Sequence, residues 1–285
     1  MDISINHKPA DITLDTEKTL GEVLSGIEAW ISPTRNRIRR ISADGEVLED
    51  ETLAEAFSRD INDIKKLDIV VTPWRDLAAE ALEVLLDTCK FYMDAPFSGR
   101  AQVNARWEES AAARFMASDI SDLYNLAGAT LLGEGLSASD LCILIEERLR
   151  EISDPRQETT ACETLVKTIA ERMGELPLDI QTGKDQRAAE TVQLFARTGE
   201  KLFRILFVLE LEGLSLDNFI IDTFPARVFI DEFNVALKEL SAAFENRDTV
   251  LVGDIAEYEL SPRLLKFYEA LRNITESYSS VMPLP

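Results

Sequence analysis

Residues 180–211 read IQTGKDQRAAETVQLFARTGEKLFRILFVLEL, and the fold follows from how their apolar positions recur. Ala188, Val192, Phe195, Gly199, Leu202, Leu206 and Leu209 are spaced alternately by four and three, which lines them along one seam of a helix. From Leu202 onward Phe203, Ile205, Phe207, Val208 and Leu211 add apolar surface on the other faces. A helix that is apolar nearly all round must be covered on nearly all sides, so this second half is expected to be the central rod of a helical body.

The helical period extends outward from the rod in both directions. Upstream, Leu77, Ala81, Leu82, Leu85, Leu86 and Cys89 define an amphipathic helix over 76–93, and a second long helix is expected over 103–132, ending at Gly133-Glu134-Gly135. Ser137 and Asp140 read as the capping box of a third. Asp154-Pro155, a cap residue followed by Pro at the first helical position, opens a fourth that runs to about Gly174. Downstream, 214–222 is expected as a short helix, Pro225 as the kink or start of the next, 228–244 as helix, and 249–260 with 262–278 as a last helix bent at Ser261-Pro262. Ala78-Ala79-Glu80 parallels Ala188-Ala189-Glu190, and Leu123, Leu126, Ala129 and Asp140 parallel Leu237, Leu240, Ala243 and Asp254, which suggests an internal duplication of three helices.

Composition narrows the function. The 285 residues carry a formal charge of −22, from 52 acids against 30 bases, which argues against nucleic-acid partners and against anionic membranes. No signal-peptide pattern opens the chain, and LFRILFVLEL is too short and too charged to span a bilayer, so the expected setting is cytoplasmic, without membrane insertion. Cys89, Cys142 and Cys162 are an odd number set in apolar helical contexts and read as reduced core thiols.

Residues 1–73 have a different rhythm. Ile3 and Ile5 alternate with polar neighbours, Asn6 to Pro9 turns, and Ile12 and Leu14 alternate again, a hairpin signal. Thr19 with Glu22 caps a helix through Leu20, Val23, Leu24, Ile27 and Trp30 that Pro33 ends. A strand at 38–41, a turn at Asp44-Gly45, a short strand at Val47-Leu48, helical turns within 52–64 and the apolar strand LDIVV at 67–71 follow. This order resembles the β-grasp, or ubiquitin-like, fold, in which the first and last strands pair in parallel. The resemblance implies a non-catalytic docking module, because the segment has no free Gly-Gly terminus and no cysteine. The fold class is therefore α+β: a β-grasp-like docking domain over 1–73 and an all-α helical bundle over 74–285.

Chemistry is constrained by what is missing. His7 is the only histidine and falls in a predicted turn, which leaves no imidazole for Ser-His-Asp or Cys-His catalysis, for Glu-x-x-His di-iron sites or for an ordinary zinc site. Gly183-Lys184 lacks the spacing of a phosphate loop, since Leu178 and Asp185 stand where Gly and Ser/Thr are needed, and reads as a glycine-containing helix start or bend, or as a weak anion contact. Asp254, Glu257 and Glu259 could form a carboxylate pair or simply a solvated face. Arg35, Arg37, Arg39 and Arg40 stand out in an acidic chain. Strand alternation would put Arg35, Arg37 and Arg39 on one face, facing an acidic partner, an anionic ligand or the protein's own acidic body.

IQTGKDQRAAETVQLF together with GDIAEYELSP resembles an uncharacterised family of acidic bacterial cytoplasmic helical proteins, which implies no particular activity. The expectation is a non-enzymatic adaptor, scaffold or chaperone-like protein, with no cofactor and no metal, that binds another protein. Its candidate surfaces are Arg35, Arg37, Arg39 and Arg40 and a helix-lined groove. The alternative is a small-molecule or phosphate-ligand sensor at Gly183 and Lys184.

Overall fold

The computed structural model describes residues 1–14, 16–31, 35–48 and 50–278, and its chain divides into two compact units, Met1–Cys142 and Ile143–Pro285. The helix stop expected at Pro33 and the tail 281–285 lie outside the described residues.

The first unit opens with β1 (Asp2–Ile5), β2 (Lys8–Pro9), α1 (Leu20–Ile31), β3 (Asn36–Ala43), β4 (Glu46–Val47), α2 (Asp50–Ala56) and β5 (Lys66–Pro73). The sheet order is β2-β1-β5-β3-β4, with β1 parallel to β5 from Asp2 opposite Lys66 to Ile5 opposite Ile69, and β3 antiparallel to β5. This is the β-grasp arrangement. The apolar run LDIVV lies in the central strand, where Leu67 and Ile69 are fully buried. α1 covers the sheet with Leu20, Val23, Leu24, Ile27 and Ile31. Its capping box forms as expected: Thr19 Oγ1 accepts from Glu22 N at 3.3 Å, and Glu22 Oε2 accepts from Thr19 N at 3.2 Å.

Two local expectations shift. The hairpin's second strand is only Lys8–Pro9, while Ile12 and Leu14 pack against the core without strand pairing. Trp30 is exposed and Ile31 takes the inward position, because the buried stripe follows Ile27 by four rather than three.

The unit continues through α3 (Trp74–Asp94), α4 (Arg100–Glu108), α5 (Ala111–Asp119), α6 (Ser121–Leu131) and the start of α7 (Ala138–Ser153). The single helix expected over 103–132 is three. Ser110 ends the first break by accepting from Ala113 N at 3.0 Å, and Ile120 leaves helical geometry at φ −138°, ψ 51°. Apolar periodicity runs through both breaks, since short helices packed on one neighbour keep their inward faces aligned. The capping box of α7 is present, with Ser137 Oγ accepting from Asp140 N at 3.1 Å.

The second unit holds the rest of α7, α8 (Pro155–Ala161), α9 (Glu163–Gln181), α10 (Asp185–Leu211), β6 (Ile220–Ile221), β7 (Phe224–Pro225), α11 (Ala226–Glu245), α12 (Thr249–Asp254), a π-helical segment (Ile255–Leu260) and α13 (Ser261–Tyr278). Asp154 caps α8 by accepting from Gln157 N at 2.9 Å. The helical path does not end at Gly174. It breaks at Cys162 and then runs on to Gln181 with Pro177 inside it. In place of the short helix expected over 214–222 there is a β hairpin, which β-branched Ile220 and Ile221 favour and which Asp222 turns with φ 60°. Pro225 starts α11.

The rod α10 begins at Asp185 and packs on α8, α9 and α13. Ala188, Phe195, Gly199, Leu202, Leu206 and Leu209 of the expected seam are buried, while Val192 is half-buried. Thr191 and Thr198 join them, made tolerable by hydroxyls that donate to Arg187 O and Leu194 O at 2.9 and 2.8 Å. Around the rod Phe195, Phe203, Phe229, Phe233 and Phe267 form one aromatic cluster, with Phe195 stacked on Phe233 at 6.0 Å and Phe203 tilted 44° to Phe267 at 4.8 Å. Of the helices aligned by the internal similarity, α3 and α6 are separated by two helices and a 3-10 turn, whereas α10 and α11 are separated by a β hairpin.

Candidate functional site

The arginines of β3 are largely used inside the first unit. Arg35 sits at φ 60° in the turn before the strand, where its carbonyl accepts from Trp74 N at 3.0 Å. Arg37 donates from Nε and Nη2 to Asp119 Oδ1 at 3.2 and 3.1 Å, and Trp74 Nε1 donates to the same oxygen at 3.0 Å. Arg39 Nη2 donates to Glu80 Oε1 at 2.9 Å. A register shift between Ile38 and Arg40 interrupts the alternation that would have kept the arginines on one face, as a bulge does. Arg40 is exposed and draws no ion pair among the described residues. Asp119 at the end of α5 and Glu80 on α3 thus tie the sheet to the helices that follow it.

Gly183 and Lys184 close a helix. Gly183, at φ 71°, donates to Ile180 O at 3.1 Å, and Lys184 N donates to Asp179 O at 2.8 Å, the two bonds of a Schellman cap on α9. The Lys184 ammonium lies 3.3 Å from Asp179 Oδ1, and Arg187 Nε lies 3.1 Å from Asp179 Oδ2. Both cations serve a carboxylate that is almost completely buried.

A denser ionic network surrounds the rod. Lys201 Nζ donates to Glu147 Oε1 at 2.7 Å and Glu158 Oε2 at 2.8 Å; Arg204 binds both oxygens of Glu151 at 2.8 Å; Arg150 Nε donates to Glu158 Oε1 at 3.1 Å. Burial opposes the charge on Lys201, but its bonds to Glu147 and Glu158 prevail and hold its pKa above the ordinary lysine value. Burial likewise pushes Glu147 up and is outweighed by Lys201 and then Arg204, which leave it below the usual carboxylate range. A lysine held this firmly charged has no lone pair for nucleophilic or base chemistry near neutral pH. Burial pushes the Cys89 thiol up to about 12, with Cys142 adding to the shift, and pushes Cys162 up to about 11, so neither is a thiolate at neutral pH.

The remaining candidates are dispersed. Asp254, Tyr258 and Glu259 are exposed and Glu257 is half-buried on the π-helical turn. Glu257 raises the Tyr258 phenol by its charge and by a hydrogen bond. His7 Nδ1 pairs with Asp68 Oδ2 at 2.8 Å while Ser4 Oγ donates to Asp68 Oδ1 at 2.6 Å, so the carboxylate stands between them and no imidazole reaches the hydroxyl as a base. Among the described residues no group of three or more metal-ligating side chains comes together, and no helix is long and apolar enough to cross a membrane.

Two of the cavities among the described residues have mixed polar and apolar walls. One, about 730 Å³, lies in the second unit beside the β hairpin, and Lys266 on its wall is paired with Asp222 at 2.6 Å. The other, about 540 Å³, is a groove in the first unit walled by Val84, Thr88 and Phe91 of α3, by Val103, Arg106 and Trp107 of α4, and by Ser110. Phe91 is 70% exposed on its wall, and Phe97 in the connecting turn is 89% exposed. Trp107 is buried, and its Nε1–H has no hydrogen-bond partner among the described residues. The cluster FYMDAPF over 91–97 was the available sign of this surface: aromatics at a helix end and in a turn, where burial is not expected.

The class is thus an α+β protein with a β-grasp sheet at its N-terminus and a mostly helical remainder. Residues 1–73 match the family model described as the TP0873 N-terminal domain, which ends where β5 ends. Residues 157–270 match a domain of unknown function, DUF8042, and contain both stretches, 180–195 and 253–262, that carried the family resemblance. No curated protein and no solved structure matches the chain.

Proposed function

We propose that this chain is a non-enzymatic cytoplasmic adaptor that binds another protein, and that the α3–α4 groove is its docking surface. The supporting observation is the apolar wall of Val84, Phe91 and Val103, with Phe91 turned to solvent. Exposed aromatics around a concavity are the usual anchors of protein recognition. The arginines contribute less to this reading than the sequence led one to expect, since Arg37 and Arg39 already hold Asp119 and Glu80, leaving Arg40 as the exposed cation beside them. Sensing of a phosphate ligand at Gly183 and Lys184 draws no support, because the Lys184 ammonium is committed to Asp179.

The test is site-specific photocrosslinking in cells, with a benzoylphenylalanine replacing Phe91 and, separately, Arg40. The reading expects a discrete adduct from position 91 that Val84→Asp removes. Adducts from position 40 alone would move the surface to β3, and none from either position would end the adaptor reading.

A further inference from the structure

α11 presents a face to solvent that helix propensity does not explain. Val228 and Val235 are 43% and 52% exposed, although β-branched residues are poor helix formers and gain nothing from contact with water. Seven residues apart, they stand on one line of the helix, about 10 Å from each other along its axis. At about 100° per residue, Asp231 falls on one side of that line and Glu232 and Glu239 on the other. Glu259 of the π-helical segment and Arg263 of α13 form the opposite wall of a groove of about 310 Å³. An apolar line between acidic margins therefore lies open to solvent.

The charges of this groove are not balanced within the second unit. Arg263, the one cation on its walls, is shared: it pairs with Glu259, and its Nη2 lies 3.8 Å from Glu232 Oε2. Arg227, one turn before Asp231, is held by Asp217 at 2.9 Å. Asp231 and Glu239 are exposed and draw no ion pair among the described residues. Four carboxylates thus face one guanidinium around apolar surface.

We infer that the α11 groove docks a basic amphipathic helix of another protein, a second surface that does not depend on the α3–α4 groove. Apolar residues of that helix lie along Val228 and Val235, and lysines or arginines on its two sides reach Asp231 and Glu239. Nucleic acid and anionic lipid would be repelled by the same carboxylates. A second copy of the chain, set groove to groove about a twofold axis, would bring like charges together.

The test is fluorescence anisotropy of the full chain with a labelled helical peptide, leucines on one face and lysines on either side, at about 0.15 M salt. Its twins replace the leucines by serine or the lysines by glutamate. A chain of charge −22 attracts any polycation, so two variants remove equal charge at different places. One pairs Asp231→Asn with Glu239→Gln in the groove; the other pairs Glu83→Gln with Glu134→Gln, exposed acids of the first unit. The expected result is saturable binding that the groove pair weakens about tenfold and the distant pair less than about twofold. Val228→Ser with Val235→Ser should weaken it about tenfold as well, with thermal melts showing that each variant still folds.

Equal weakening by the two charge pairs, equal binding of the leucine and serine peptides, or indifference to the valine changes overturns the inference. So does absence of binding, or a glutamate twin that binds as tightly. Loss of binding in Phe91→Asp would assign the peptide to the α3–α4 groove, overturning this inference while leaving the docking reading intact. Self-association in sedimentation that Val235→Ser abolishes would overturn it in favour of a second copy.

Discussion

Arg37 and Asp119, 82 positions apart in sequence, meet through two N–H···O bonds of 3.2 and 3.1 Å onto one carboxylate oxygen that also accepts from Trp74. A strand, the start of α3 and the end of α5 are thereby fixed by a single side chain that is 12% exposed.

Replacing Asp119 should therefore cost more than replacing Arg37. Asp119→Ala removes the acceptor of both the guanidinium and the indole and is expected to destabilise by about 2–3 kcal/mol, whereas Arg37→Ala, which leaves Trp74 still bonded, should cost about 1 kcal/mol. Urea unfolding of the two variants checks the order; equal losses would mean that the indole bond contributes nothing.

Asp68 gives the β-grasp sheet a pH dependence. The Ser4 hydroxyl, and then the charge and hydrogen bonds of His7, hold its carboxyl below the ordinary value of 3.8 despite some burial. A folded-state pKa below the unfolded one means that the unfolded chain binds the proton first. The stabilisation is complete above pH 3.8 and is lost as pH falls through the lower folded value. Asp68→Asn should melt earlier than the parent at pH 6, and the difference in Tm should shrink as the pH is lowered below 3. A difference that stays constant over that range would refute the assignment.

The network on α10 should be asymmetric. Arg204→Met strands Glu151, which is 2% exposed, and is expected to cost about 3–5 kcal/mol. Lys201→Met removes a partner from Glu147 but leaves Glu158 with Arg150, so about 2–3 kcal/mol is expected. The double change of Arg204 to Met and Glu151 to Leu should recover most of the first loss, and chemical denaturation of the three variants measures it.

α12 approaches α9 closely at Gly253. A Cβ there would lie 3.0 Å from both Cβ and Cγ of Pro177. The proline ring is rigid and has no flexible end to move, so Gly253→Ala should destabilise by about 1–2 kcal/mol even though alanine favours a helix by roughly 1 kcal/mol over glycine. In a Pro177→Ala background the same substitution should become neutral or stabilising, which a thermal double-mutant cycle would show.

Local signals carried far in this chain. The capping boxes at Thr19–Glu22 and Ser137–Asp140, the Asp154-Pro155 start and the central strand LDIVV all sit where residue type and spacing put them. The misses have two causes. The helix expected over 103–132 splits at Ser110 and Ile120, because several short pieces keep one inward face when they pack on a common neighbour, and the short helix expected over 214–222 gives way to a hairpin that β-branched Ile220 and Ile221 favour. Periodicity reports the face and not the breaks.

What the sequence determined by itself is the alternation of apolar positions, and with it a sheet-forming segment over 1–73, a helical remainder and the seam along α10. What only the tertiary structure decided is where the charges and the exposed aromatics end up. Arg37 and Arg39 turn to Asp119 and Glu80, Lys184 closes onto Asp179, and Phe91 is left in solvent on the wall of a groove. The physical reason is range. Hydrophobic period and capping are set within a few residues, whereas an ion pair or a groove wall depends on which distant helix the packing brings alongside.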